Sequence, residues 1–489
     1  MQSSRDAFVN QPYAKAILIV LLLLLGAALR LAPLPHEALG GDELFSRRVV
    51  LQTVPAAFAE VRSDLVHPPF YYALLKSTTA IWGAGALGLR ALSLACGIAS
   101  VGVIILLGSR LPGGRWCGYL AGGGLAVGRN YIYYSQEARS YALYSLLVLL
   151  LVFWMEALPH RQRSGSYWVL GASLMTILVY THYVGAIYVM GAILTILLCK
   201  FEIRTKVLAV VSGLVAAGLF LPWLLTVLTV YKQKRGLGEN LDWQGRPALA
   251  DLKQLWASSV GIATFPGATT LALLLIIVLS AVGLFSLQQK GTLRRSPAVL
   301  ALAVMGVLPP IVIFVLSQPP FNLPLFGLRH LLPSMVLLLL LSSYGVECIA
   351  HLQRVSAPYF AAGCAACILV LGALPTIQGL RSGPMRYPYN AVEQRVVQSA
   401  SLGVPSYTTW FYGEGEPINF YCRMQCIQPL PSDVSHLPRH LLLIYRPRVK
   451  DETAKYSALK LEGYVDASHR YYTDGVGTAW GTMAADLER

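Results

Sequence analysis

Eleven stretches of the chain are apolar almost without interruption, and polar connections of varying length separate them. The first runs from Ala16 to about Leu34. The others are Leu89–Gly108, Cys117–Tyr134, Tyr141–Ala157, Tyr167–Thr181, Val184–Leu198, Val207–Tyr231, Thr270–Leu287, Ala298–Leu316, Leu331–Ile349 and Pro358–Pro375. Most approach the ~20 residues that a helix needs to cross a ~30 Å hydrocarbon layer, so the pattern predicts a membrane bundle of about 11 spans. Phe70–Trp82 is apolar as well, but its roughly 13 residues fall short of a span. It is read as a half-embedded or re-entrant helix.

Charge tests that count, because Lys and Arg in short loops gather on the cytoplasmic side. With the N-terminus inside and Phe70–Trp82 not crossing, the inner connections hold Arg110/Arg115, Arg161/Arg163, Lys200/Arg204/Lys206, Lys290/Arg294/Arg295 and Arg354. All are basic; a full crossing at Phe70–Trp82 inverts every later loop. The outer connections are then the loop after the first span, Tyr131–Ser140, Thr181–Tyr183, Lys232–Thr269, Ser317–His330 and everything beyond Pro375. That tail changes character, with strand-like pieces at Ser406–Tyr412 and His440–Tyr445 between Pro and Gly turns. The expected fold is mainly α: a transmembrane domain over residues 1–377, and a small external α/β or α+β domain over 378–489.

Composition agrees, since 55% of the residues are hydrophobic and only 13% charged. The net charge of +15 comes from scattered loop clusters without interleaved aromatics, so it speaks for membrane topology and not for nucleic acid. The first run is long for a signal core and lacks a small-x-small site, so it is expected to be a retained span. Arg30, Arg90 and Arg129 read as snorkelling or loop cations. Six cysteines sit in or beside apolar runs; only Cys422 and Cys426 share a polar region, where an oxidising compartment permits a local disulfide.

The chemistry gathers at the outer face. Gly40-Gly41-Asp42-Glu43 places two carboxylates just after the first span, and His67-Pro68-Pro69-Phe70-Tyr71-Tyr72 follows. Ser135-Gln136-Glu137-Ala138-Arg139-Ser140-Tyr141 fills a turn between spans, with Tyr180-Thr181-His182-Tyr183 and Gly327-Leu328-Arg329-His330 at later span ends. A surface carboxylate can take a proton from an acceptor, and a guanidinium can grip a departing phosphate in a fork. Arg139 and Arg329 sit where an isoprenoid phosphate headgroup would lie. Each motif also has an ordinary reading: a solvated acidic pair, a helix-end pair at Glu137 and Arg139, a capping His67, a hydrogen-bonded interfacial His182. The long Lys232–Thr269 loop, with Trp243, Asp251 and Trp256, reads either as part of an acceptor wall or as a surface loop.

In order and spacing these motifs, with Arg90-Ala91-Leu92-Ser93, resemble the bacterial family 39 glycosyltransferases, relatives of the protein O-mannosyltransferases and the lipid A aminoarabinose transferase. The resemblance spans roughly residues 15 to 350. It implies a GT-C fold in a bacterial inner membrane, and inverting transfer of a sugar from a polyprenyl-phosphate donor to a lipid, glycan or protein acceptor on the non-cytoplasmic side. By the same resemblance Asp42 is the base, and Glu43 orients the acceptor or a metal. His67, Arg139, His182 and Arg329 bind the donor, and Glu137 positions Arg139 or touches the sugar. No cofactor is implied beyond a divalent metal, which is left open, with Asp42 and Glu43 as its ligands if present. Two positions depart from the family pattern, with Val127-Gly128-Arg129-Asn130 in place of a Ser-Pro pair and Ser140 in place of proline. A transporter or lipid flippase is the rival class, but its ionisable groups belong at mid-membrane in repeated halves. Here they gather at one face and the halves do not repeat.

Overall fold

A computed structural model describes residues 12–34, 37–233, 246–261, 267–323, 325–382, 389–409, 416–422, 425–446, 450–472 and 482–489. Trp243 lies outside them. Packing divides the chain into two units, one of Met1–Leu31, Val49–Ala84 and Gly88–Thr376, the other of Ala32–Arg48, Gly85–Leu87 and Ile377–Arg489.

The first unit is helical. It holds α1 (Pro12–Leu31), the end of α2 (Gly41–Leu51), α3 (Val54–Asp64), α4 (Phe70–Trp82), most of α5 (Ala86–Arg110), α6 (Cys117–Val127), α7 (Arg129–Ser135) and α8 (Tyr141–Arg161). These are followed by α9 (Gly165–Thr181), α10 (Gly185–Leu198), α11 (Ile203–Gln233), α12 (Leu249–Ala257), α13 (Ala268–Gln289), α14 (Pro297–Leu316), α15 (Leu328–Ala350) and most of α16 (Ala357–Ser382). Among the described residues 8 helices are long and apolar enough to cross a membrane, and α6, α9 and α10 are shorter apolar helices. The protein is a multi-pass membrane protein.

Helix α4 covers the half-length apolar stretch and no more. Pro69 stands at its N-cap, and Gly83 ends it at φ 78°, a left-handed backbone that disfavours any other residue. The polar connection after α1 folds into α2 and α3. Pro55 opens α3, since its missing N–H costs nothing in a first turn.

The long bundle helices divide by exposure. α11 turns Val207, Leu214, Leu221 and Leu225 outward, as a lipid-facing helix does. α15 is buried on nearly all sides, packed by α6, α8, α13 and α14. Its polar residues are therefore bonded internally: Ser334 Oγ donates to the Met305 carbonyl at 3.0 Å and shares a 2.6 Å bond with Tyr188.

The run expected as one span, Cys117–Tyr134, is broken into α6 and α7 at Gly128, whose backbone is extended (φ −70°, ψ 123°). A Cβ there would sit 2.7 Å from both the Gly124 carbonyl oxygen and the Tyr131 ring, so glycine is required. The break frees helix-end carbonyls, and Arg30 bonds them. Its guanidinium donates to Leu125 O (3.0 Å), Ala126 O (3.1 Å), Gly26 O (3.0 Å) and Ser135 Oγ (3.1 Å). At the opposite end of α6, the buried Glu347 carboxylate accepts the N–H groups of Arg115, Trp116 (3.1 Å) and Cys117 (2.9 Å). The reading of Arg30, Arg90 and Arg129 as snorkelling or loop cations is thereby corrected. All three are buried, and Arg129 reaches the Pro375 carbonyl at 3.3 Å. A helix end inside a bundle has no water to complete it, so for Arg30 internal carbonyls outcompete the surface.

The second unit is mixed α and β, with α17 (Tyr389–Ser401), β1 (Ser406–Thr408), α18 (Glu416–Cys422), β2 (Gln428–Pro429), β3 (His440–Tyr445), α19 (Lys450–Leu461), β4 (Val465–Tyr472) and β5 (Thr482–Glu488). The sheet order is β2-β1-β3-β5-β4. β1 runs parallel to β2 and β3, and β5 antiparallel to β3 and β4. β3 is apolar throughout after His440 because both its faces are covered. Leu442 and Ile444 join Ala38, Val392, Val396, Ile418 and Ile427 on one face, while Leu441, Leu443 and Tyr445 meet Leu459, Tyr464 and Leu487 on the other. Ala38 brings the Ala32–Arg48 stretch into this core. Cys422 and Cys426 are bridged, with their Cα atoms 6.3 Å apart.

Candidate active site

In the helical unit, His67, Arg139 and His182 come together. Arg139 lies in the turn between α7 and α8, whose backbone closes tightly: its N–H donates to the Glu137 carbonyl at 2.7 Å. The turn is moored on both sides. Gln136 donates to the Arg30 carbonyl at 2.7 Å, and the Arg139 carbonyl accepts from Ser93 at 3.1 Å. The guanidinium then faces Tyr72 of α4, with Nη1 3.0 Å from the phenol oxygen, and His67, with Nη2 3.1 Å from Nδ1. Arg139, His67 and Glu137 are all buried.

His182 caps α9, and its Nε2 is 3.1 Å from His330 Nδ1 on α15. The rings of His67 and His182 are 5.3 Å apart, and those of His182 and His330 5.2 Å. Tyr144 stacks on His182 at 4.6 Å, and Tyr141 meets His67 and His330 edge-on at 5.7 and 6.2 Å. Held in this aromatic box, His67 and His182 resist protonation. Burial and then the Arg139 charge hold His67 well below its ordinary value, while burial and then Arg329 and Arg139 bring His182 down to about 3.

Neutral rings have one donor and one acceptor, so the partners assign the protons. Arg139 only donates; His67 Nδ1 therefore accepts and its Nε2 carries hydrogen. The Val184 N–H lies 3.2 Å from His182 Nδ1, so His182 donates from Nε2 to His330, whose own Nε2 carries hydrogen in turn. Both chains end on a buried N–H, at His67 and at His330, that meets no acceptor among the described residues.

Arg329 adjoins His330 at the start of α15 and is part-exposed. The motifs point to Arg329 and to His67, but carry no separate signal for His330, Tyr72 or Tyr144. Nothing in the chain advertises a pairing 148 residues apart.

Asp42 and Glu43 belong to the other unit. They occupy the first turn of α2, where the helix dipole favours carboxylates. Glu43 is fully buried, and its carboxylate accepts the Gly40 N–H at 3.2 Å as an N-terminal cap. Asp42 is more open. Among the described residues no three His, Cys, Asp or Glu side chains are placed to hold a metal together.

An apolar bundle carrying this cluster, joined in sequence to a small mixed sheet, has the fold of the GT-C glycosyltransferases. Residues 66–225 match the family model described as dolichyl-phosphate-mannose-protein mannosyltransferase, about a third of the chain. The chain is similar to apo ArnT from Cupriavidus metallidurans, with 12% identity and TM-score 0.55 over 97% of this chain and 98% of that one. It is similar also to the Archaeoglobus fulgidus oligosaccharyltransferase with zinc and sulfate, with 11% identity and TM-score 0.54 over 93% and 72% of the two chains. The AglB complex from the same organism, with an inhibitory peptide and a dolichol-phosphate, gives 12% identity and TM-score 0.52 over 94% and 73%. Comparison with curated protein sequences gives no significant match. The family resemblance read from the motifs is thus met by both family segment and fold, and together they support membrane glycosyl transfer.

Proposed function

We propose that the protein transfers a sugar, with inversion, from a polyprenyl-phosphate donor to a lipid, glycan or protein acceptor on the non-cytoplasmic face of a bacterial inner membrane. The observation that carries the reading is the convergence of donors in the helical unit. A guanidinium held by Tyr72 and His67 stands in one aromatic cluster with two buried imidazole N–H groups that meet no acceptor among the described residues. Such a set suits a phosphate, which only accepts. The dolichol-phosphate in the AglB complex is in keeping with a lipid phosphate here.

In the reaction the acceptor oxygen attacks the anomeric carbon while its proton passes to the Asp42 carboxylate. The bond from that carbon to the phosphate oxygen breaks, and its electron pair leaves on the polyprenyl phosphate. Arg139, Arg329, His67 and the His182–His330 pair stabilise the growing charge, which is the larger part of such catalysis. Glu137 positions Arg139 through the turn they share. Glu43 keeps Asp42 in place by capping the helix both begin.

The test is transfer by purified protein in lipid, offered radiolabelled polyprenyl-phosphate sugars, with Asp42→Asn beside the wild type. Label is expected to reach acceptor with the wild type alone, while the variant still binds donor. Substantial turnover by Asp42→Asn removes Asp42 as the base. Failure with every donor, alongside movement of lipid or solute across the bilayer, replaces the enzyme with a transporter.

A further inference from the structure

The Asp42–Glu43 turn is flanked on both sides by contacts to one short hairpin. Ala38, four residues before Asp42, is fully buried among Val392, Val396, Ile418, Ile427, Leu442 and Ile444, and Cys422 and Cys426 pack against that cluster. Arg47, later on α2, sets its guanidinium 5.2 Å from the Phe420 ring centroid. Ile418, Phe420 and Cys422 belong to α18, and Cys426 and Ile427 stand just before β2.

That hairpin needs help to keep its shape, because a 7-residue helix is too short to be stable alone. Two devices fix it. The Asn419 side chain spans its base, accepting the Cys426 and Ile427 N–H groups at 2.8 and 3.0 Å and donating to the Ile427 carbonyl at 3.1 Å. The Cys422–Cys426 bridge then locks the end of α18 covalently.

We propose that the disulfide-closed hairpin at Cys422–Cys426, acting through Phe420 and the Ala38 core, is a positioning device for Asp42, and that reduction of the bridge slows sugar transfer. The proposal rests on the reading of Asp42 as base. Reduction by a dithiol adds two electrons and two protons, leaves two cysteine thiols and moves the disulfide to the reductant. The hairpin then relies on Asn419, the end of α18 is released, and Arg47 and Ala38 lose a fixed counterface. A misplacement on the order of 1 Å at a reacting group costs up to about a hundredfold in rate. The donor phosphate, held by other residues, is untouched.

The test uses the intact chain in lipid, compared oxidised, reduced with dithiothreitol and alkylated, and as Cys422→Ser/Cys426→Ser, with kcat and donor KM measured separately. The expected result is a fall in kcat of about tenfold on reduction and in the double variant, with donor KM unchanged. Phe420→Leu, which keeps the packing and removes the ring face, is expected to lower kcat severalfold, and Phe420→Tyr to restore it. Should the double variant lose its protease-resistant C-terminal unit, the Phe420 pair carries the comparison. Wild-type kcat in fully alkylated protein, or in Phe420→Leu, overturns the positioning role. Asp42→Asn run in parallel separates the two readings. If that variant is inactive while the reduced enzyme turns over normally, only the hairpin's role is lost; if it is active, the base assignment itself falls.

Discussion

Arg30 and Arg139 are both buried guanidiniums of the helical unit, and the molecule uses them in opposite ways. The fork of Arg30 bonds three main-chain carbonyls and a serine hydroxyl, all fixed by the helices that own them. The fork of Arg139 meets a phenol and an imidazole brought from elsewhere in the chain. One cation completes backbone that the bundle has cut; the other is aimed by side chains that are themselves aimed. A buried charge is structural when its partners are helix ends, and a site candidate when its partners are assembled side chains.

Replacing both arginines breaks or sharpens that contrast. Arg30→Ala strands the Leu125 and Ala126 carbonyls without water, and is expected to cost about 3 kcal/mol or more of stability. Thermal unfolding of the detergent-purified protein measures it; a melting temperature near wild type would place Arg30 outside the frame. Arg139→Lys is expected to melt near the wild type yet lose roughly a hundredfold in transfer, because an ammonium cannot reproduce the fork. If rate depends on donor concentration as in the wild type, Arg139 does not hold the phosphate.

The smallest effect concerns protons. His182 is brought from 6.5 to about 3 in the folded protein, so the unfolded chain binds the extra proton between those values. Its contribution to stability is complete above pH 6.5 and is lost as pH falls through that window, by up to about 1.4 kcal/mol per pH unit. His67 adds in the same direction. A plot of melting temperature against pH is expected to fall on the acid side for the wild type and less steeply for His182→Gln. Equal slopes would show that the ring is not held neutral.

Much of this was legible in the chain because it depends on local chemistry. Pro69 and Gly83 bound α4 where the apolar stretch ends, and the apolar run of His440–Tyr445 is the strand β3. What stayed hidden depends on distant partners. The run Cys117–Tyr134 looks continuous because Gly128-Arg129-Asn130 interrupts it for only three residues, and only the carbonyls waiting for Arg30 reveal the cost of breaking there. The motifs mark His182 but not His330, since adjacency to Arg329 says nothing about a ring on another helix. The sequence reads Glu43 as orienting an acceptor or a metal, and nothing local to it shows the bond from the Gly40 N–H that makes it a helix cap.

The two clamps on α6 also make it a length gauge. An anion from α15 sits on its N-terminal N–H groups, and a cation from α1 on its C-terminal carbonyls. Its 11 residues span about 16 Å, and one residue more or fewer turns one end by ~100° against the other. Both clamps can close only at this length, so the spacing that carries Arg139 to its place is counted out in whole residues between Glu347 and Arg30.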